Sequence, residues 1–508
     1  MTILRVSAIF CAAILICPAL PGTEPNAATR RWWSHVVAMS KDDLEGRDAG
    51  SVGHQKAARY VGTRFARAGL KPAGQTGYYQ SVPLHEIRLR TDRSNIELAG
   101  EDGIRKVQWL RDVTIAPRTG LPEAITGDLV FVSQTDPADD LNLRGKIVVQ
   151  LSPPRMLPRS VNAVKPVPHA GIVATISIDN PGGPEPPHWP VAYSRAMTLA
   201  GTPLPAANGL PVDFVFNHEH ADMLLAGSGH TYKELAALAA QGKPLPHFTI
   251  PASLRATMSF ETRELASENV VAVLPGSDPV LSNEVVVLSA HLDGYGIGEP
   301  RDGDRIYNGA FDDAAYVATL IDFAEHLKES GTRLKRSLLF AVVTAEEKGL
   351  LGSRYFVANP TIPKDRFVAN INLDQLRPIF PLKLLTTLAL DESTLGDTVK
   401  AVAAEMEVRI RPDPEPERGL LRRSDHINFM QLGVPAVGFI FGYENGSPEE
   451  VIYRRWYAER YHSPADDLNQ PWVPEAAAKF NEFFGRFVTT VANAAERPRW
   501  KPDSTFVK

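Results

Sequence analysis

Cysteine is nearly missing from this chain of 508 residues: Cys11 and Cys17 are its only two, both in the extreme N-terminal stretch. Beyond them neither a disulfide framework nor a thiol nucleophile is available, which excludes a disulfide scaffold and a cysteine hydrolase. An excess of one charge is lacking too. The formal net charge is -5 with the signs well mixed, so no basic surface recommends a nucleic-acid partner. No internal repeat occurs. Long apolar runs are absent outside residues 6–20, and that run is shorter than the ~20 residues a membrane-spanning helix needs. It follows Met1-Thr-Ile-Leu-Arg5, with one positive side chain, and precedes small residues at Pro21-Gly22 and Ala27-Ala28. This pattern reads as a signal peptide, residues 1–28, and predicts a secreted or periplasmic protein with no stable membrane anchor. Ile16 before Cys17 argues against lipoprotein processing, which wants a small residue there.

What the chain does have is a series of β-branched runs that stop at potential metal ligands. Asn283-Glu-Val-Val-Val-Leu-Ser-Ala290 reads as a buried parallel strand and runs into His291-Leu-Asp293. A His at a strand's carboxyl end can bind metal through one ring nitrogen while an Asp two positions on holds the ring; a lone His is also often structural. Tyr307-Asn-Gly-Ala-Phe-Asp-Asp-Ala314 leads into a helix with Val317, Leu320, Ile321, Ala324 and Leu327 at helical spacing. Capping explains one of Asp312 and Asp313 at its N-terminus, but not both.

Arg336-Ser-Leu-Leu-Phe-Ala-Val-Val-Thr344 is a second buried strand, ending at Ala345-Glu346-Glu347. Two adjacent acids there are either a first helical turn favoured by the macrodipole or a split pair, one binding metal and the other acting as general base. A third strand, Phe367-Val-Ala-Asn-Ile-Asn-Leu373, ends in Asp374, and His462 follows in the polar loop Glu459-Arg-Tyr-His-Ser-Pro-Ala-Asp-Asp467. The strand-end residues all fall at the carboxyl edge of one α/β sheet, where such folds place their ligands.

These segments resemble the co-catalytic two-zinc aminopeptidases related to glutamate carboxypeptidase and the transferrin receptor. The resemblance runs through Ser289-Ala-His-Leu-Asp293, Asn308-Gly-Ala-Phe-Asp-Asp313, Ala345-Glu-Glu347 with Gly352-Ser353, Asn372-Leu-Asp374, Arg423-Ser-Asp-His426 and Tyr461-His-Ser463, in order and spacing. It implies two zinc ions: His291 and Asp374 on one, Glu347 and His462 on the other, Asp312 bridging them. Glu346 would be the general base, Asp293 would orient His291, and the Asp312-Asp313 peptide would be cis. Two departures stand out. Asp313-Ala-Ala-Tyr316 replaces the usual Asn-Ala-Ser-Gly, where packing changes are expected. Leu420 and Leu421 stand where several relatives supply a Tyr hydroxyl to the oxyanion, which leaves Tyr453, Tyr457, Tyr461, Arg422 and Arg423 as candidates for that role.

The resemblance implies an α/β fold: a three-layer α/β/α zinc exopeptidase domain with a mixed sheet, interrupted by a smaller β-rich domain. Residues 29–119 would open the peptidase domain, with a helix over His54–Leu70 closed by Gly69, and Asp43-Leu-Glu-Gly-Arg47 resembles the opening of these peptidases. The Pro- and Gly-rich stretch 120–255, with Asp128-Leu-Val-Phe-Val132 and Gly145-Lys-Ile-Val-Val-Gln-Leu151, resembles a protease-associated (PA) domain, either a lid or a spacer. Residues 260–497 would be the catalytic domain, closed by the amphipathic helix Glu475–Val488, and 498–508 a disordered tail.

The expected activity is release of N-terminal residues from peptide substrates. Alternatives are carboxypeptidase action on acidic C-termini, a glutaminyl-cyclase-like acyltransferase holding one metal, and a catalytically silent receptor-like module, from which ligands are typically lost.

Overall fold

The computed structural model describes residues 25–133, 142–153, 171–181, 189 and 191–507. Most of the expected signal segment, residues 1–24, lies outside these. Among the described residues no helix is long and apolar enough to cross a membrane.

The strands Ala436–Phe441, Phe367–Leu373, Val285–His291 and Ser337–Val343 lie side by side and parallel, at the centre of the main sheet. All four are buried along their whole length, which is why they read as continuous apolar runs rather than as alternating ones. The side chains still alternate between faces. Val286, Leu288 and Ala290 join a large core with Trp32, Phe65, Tyr316 and Phe480, while Val285 and Val287 join a second core with Phe356 and Phe429.

Helices therefore cover both faces. Ala27–Met39, Val52–Arg67, Ala315–Ser330 and Pro474–Asn493 contribute to the first core, and Leu351–Ala358 and His426–Gln431 to the second. Four phenylalanines of the last long helix, Phe480, Phe483, Phe484 and Phe487, are fully buried. At ~1.5–3 kcal/mol for each such side chain, this helix is a main stabiliser of its layer.

Antiparallel strands flank the parallel centre: Leu384–Leu388 on one side, Phe260–Leu274 and then Tyr79–Leu89 on the other. The last two pair from Phe260↔Leu89 to Val270↔Tyr79 and form the two-strand stalk from which the second unit departs. Among the described residues that unit is an eight-stranded sheet in the order Gly103–Lys106, Asn95–Gly100, Phe248–Thr257, Ala124–Phe131, Ile147–Leu151, Ala174–Ile178, Val212–Phe216, Val113–Ile115. It has its own apolar core, including Leu98, Phe131, Phe214 and Leu254.

Three boundaries differ from expectation. The second unit opens at about residue 95 rather than 120, because three short strands before 120 pair into its sheet; their alternation is too brief to read in sequence. Its chain also leaves once to add Arg195–Leu199 to the edge of the main sheet beside Tyr79–Leu89. Ala27 and Ala28, assigned to the leader, begin a helix capped by the Asn26 side chain on Thr29 N–H. The residues after Pro498 do not hang free either: Trp500 pairs with Ser393, donates Nε1–H to Gly433 O at 2.9 Å and stacks on Phe506.

Candidate metal centre

The parallel strands all point their carboxyl ends at one cleft. His291 is the last residue of its strand, Glu346 and Glu347 follow Ser337–Val343, and Asp374 follows Phe367–Leu373. Asp312 sits in the irregular turn Ala310–Ala314 before a long helix, its peptide bond to Asp313 cis, and His462 arrives on a loop with left-handed backbone. These five side chains converge. His291 Nε2 is 3.1 Å from Asp312 Oδ1 and 3.8 Å from Asp374 Oδ1, while His462 Nε2 is 3.3 Å from both Asp312 Oδ2 and Glu347 Oε2. The Asp312 carboxylate thus lies between two histidines, one oxygen toward each.

The donor set fits a metal. Asp312 Oδ2 and Asp374 Oδ1 are buried with no hydrogen bond, a costly state for an acceptor unless a cation compensates. Ligands about 2.0–2.1 Å from a tetrahedral ion lie ~3.3 Å apart, which matches the spacings around His462. The electrostatics agree. Burial opposes a charged His291, but Glu346, Asp312, Asp374 and Asp313 push its pKa well above the ordinary value. Burial, with Asp312 nearby, lifts Glu347 to about 7 against the pull of His462. Burial lifts Glu346 well above the carboxylate range, with Asp374, Glu347 and Asp425 adding to it. Among themselves these groups are short of positive charge.

Neighbouring residues divide the work differently from the expectation at Asp293. His291 Nδ1–H donates to the backbone carbonyl of Asp293 at 3.0 Å, while the Asp293 carboxylate accepts Glu346 N–H at 2.9 Å and lies 3.8 Å from the ring. It therefore fixes the general-base candidate's backbone rather than the imidazole. Asp313 accepts the backbone N–H groups of His291 and Gln375, so the second Asp of the pair joins the strand ends together.

Among the oxyanion candidates, Tyr453 packs away from the cleft against Arg377 and Tyr443. Tyr461 lines the cleft, its ring stacked on His462 with centroids 3.6 Å apart, and its oxygen accepts from Gln375 Nε2 at 2.9 Å. Burial, with Asp312, Tyr457 and Glu347, keeps that phenol protonated. Tyr457 instead donates to Gln375 Oε1 at 2.8 Å. The cleft is about 400 Å³, with the acids on one side and Arg354, Arg422, Arg423, Leu388, Leu420 and Ile440 among its other walls.

Sequence reasoning passed over three supports. Arg47 is fully buried and donates to four backbone carbonyls, of Met39, Leu292, Asn308 and Gly309, at 2.5–2.9 Å. Asp466 accepts the N–H of Phe311 and of Asp312, both at 3.0 Å, and so carries the turn that presents the central carboxylate. Asp425, lifted to about 7 by burial, bonds Ser353 beneath the cleft. Only position in a motif marks them: Arg47 ends the Asp-Leu-Glu-Gly-Arg segment, and Asp466 comes four residues after His462.

Residues 269–488 match the sequence profile of peptidase family M28. This segment is similar to the peptidases of that family. The chain is 27% identical over 218 residues to leupeptin-inactivating enzyme 1 of Streptomyces exfoliatus, covering 41% of this chain and 45% of that one. A probable leucine aminopeptidase 2 of Aspergillus fumigatus is 26% identical over 310 residues, 57% of this chain and 58% of its own. The chain spans about half the length of the curated relatives it matches. Among solved structures, a zinc aminopeptidase from Bacillus subtilis superposes with a TM-score of 0.60 over 93% of this chain and 97% of its own, at 17% identity. An aminopeptidase from Aneurinibacillus sp. strain AM-1 gives 0.59 over 92% and 95%, at 20% identity. The catalytic-side segment and the β-rich unit on its stalk together therefore share the fold of these enzymes.

Proposed function

We propose that the chain is a zinc-dependent aminopeptidase that removes N-terminal residues from peptides outside the cytoplasm, using two zinc ions. The observation that carries this is the Asp312 carboxylate between His291 Nε2 and His462 Nε2, with Asp374 and Glu347 completing the two sides. His291 and Asp374 would hold one ion, Glu347 and His462 the other, and Asp312 would bridge. Such ions supply Lewis acidity toward the scissile carbonyl and a lowered pKa for the attacking water.

The chain's own groups do the rest. Glu346, with a raised affinity for protons, takes one from the attacking water and returns it to the leaving nitrogen. Tyr461 donates its hydroxyl proton toward the oxygen on which charge develops, since its lone pair already accepts from Gln375. The β-rich unit is read as a PA-like domain that narrows access to the cleft.

Arg354, Arg422 and Arg423 on the cleft wall favour one second reading, release of an acidic C-terminal residue, because guanidinium groups pair with carboxylates. A panel of aminoacyl chromogenic amides and N-blocked dipeptides, with chelated and zinc-reloaded protein, separates the two. Zinc-restored cleavage of free-amino substrates, lost in Glu346→Gln, is the expected outcome. Cleavage of blocked substrates alone would move the assignment to a carboxypeptidase, and silence on both would refute the exopeptidase reading.

A further inference from the structure

The side chain behind His462 is a tyrosine, and part of what holds it comes from the inserted unit. The Tyr295 hydroxyl is 3.0 Å from His462 Nδ1, and the two rings have centroids 4.5 Å apart. With Nε2 turned toward Asp312 and Glu347, Nδ1 carries the ring proton and donates it to the Tyr295 oxygen. The phenol thus orients the imidazole on that side of the central carboxylate, and through it the ring nitrogen that faces Glu347. A ligand histidine usually has a carboxylate or backbone carbonyl in this place. A phenol is a weaker acceptor, so its position has to be fixed by packing.

That packing crosses between the units. The Tyr193 ring stacks on Tyr295 at 5.9 Å and 25°, and Lys348 Nζ lies 4.6 Å from the Tyr295 ring centre and 5.1 Å from that of Tyr193. Tyr193 belongs to the stretch where the inserted chain drops onto the main sheet. It is anchored two residues on by Arg195, which pairs with Asp48 and reaches Glu86 at 3.4 Å. Glu299 N–H donates to Ala192 O at 3.2 Å, and Gly298 has no side chain where a Cβ would meet Ala192 Cα at 2.5 Å. The insert is built into the back of the metal centre.

We propose that Tyr295 is a positioning residue for the His462 and Glu347 half of the centre, and that the inserted chain, through Tyr193, holds it in place. This rests on the two-metal reading given above. Losing the hydrogen bond behind a ligand histidine lowers metal affinity about 10–100-fold.

The test is a zinc competition titration of the full chain, joined to the visible absorption of the cobalt-loaded form and to thermal melting of the metal-free form. Tyr295→Phe keeps the ring and removes the oxygen; Tyr193→Leu removes the stack and keeps the oxygen. Both variants should weaken the same single metal equivalent at least several-fold, with the other equivalent and the metal-free melting temperature unchanged. A Tyr295→Phe isotherm like that of the wild type would overturn the positioning role while two-metal binding by the wild type stood. Wild-type binding in Tyr193→Leu alone would overturn the insert's part in it. Equal loss of both equivalents with a lowered melting temperature would overturn the proposal in favour of general destabilisation. Wild-type protein that takes up no zinc would instead refute the metal reading.

Discussion

Replacing Arg47 by Met tests whether the catalytic loops are held by one buried cation. The guanidinium donates to carbonyls of the helix end at Met39, of Leu292 just past a strand, and of Asn308 and Gly309 before the Asp312 turn. Methionine leaves those acceptors without this donor, at ~1 kcal/mol or more for each one that stays buried. Two effects work against each other beyond this. Burial disfavours the guanidinium, lowering its pKa to about 10, so removing it recovers some desolvation. Its loss also removes one positive charge near Asp466, Asp293, Asp313 and Asp312. The expected net loss is ~3–5 kcal/mol, the range for breaking a buried charged contact.

Urea unfolding followed by tryptophan fluorescence would read it, because Trp33 stacks on Trp472 at 4.4 Å and meets Phe311 of the same turn at 6.4 Å. Arg47→Lys should recover less than half, since an ammonium cannot reproduce the planar fork. A loss below ~1 kcal/mol for Arg47→Met, a typical surface value, would refute the view that this cation ties the loops together.

Asp466→Ala removes the acceptor for Phe311 and Asp312 N–H, and should cost ~2–3 kcal/mol in urea unfolding together with a weaker zinc isotherm. Tyr461→Phe should lower kcat ~100-fold or more at unchanged metal content, measured by steady-state kinetics beside elemental analysis. Asp48 is opposed by burial, yet Arg195 and Lys348 hold its pKa below the unfolded 3.8, so its contribution is present above that value and is lost as pH falls through the lower folded one. Unfolding midpoints against pH should therefore drop on the acid side, and Asp48→Asn should flatten that limb. Trp500→Ala should destabilise by ~1 kcal/mol through the loss of its bond to Gly433 and its stack on Phe506, read as a lowered melting temperature.

Much of the main sheet was legible because its central strands are apolar throughout and end abruptly in acids or histidine. A strand buried on both faces leaves a long signal, and a ligand at its end interrupts that signal at a definite residue. His462 was legible only through resemblance, since its loop has no periodicity. Other features were hidden for physical reasons. Strands of three to six residues such as Asn95–Gly100 and Val113–Ile115 carry too little alternation to be told from loop. Tyr295 and Tyr193 meet only because two distant segments cross, and aromatic residues in a loop give no hint of a partner about a hundred positions away. The Asp293 carboxylate misled because the backbone carbonyl of the same residue satisfies the imidazole first.

The stalk has a consequence for how the molecule is made. The eight strands of the smaller sheet all lie between residues 95 and 257, so a ribosome can release them to fold as a complete unit. The strand Tyr79–Leu89, already synthesised, must wait for Phe260–Leu274 before it has a neighbour on its inner side, and Arg47 must wait longer still for Asn308. Until then the early helices carry Trp32, Val36 and Phe65 uncovered. The smaller sheet can thus close on its own residues, whereas the N-terminal arm gains its cover only from segments far along the chain.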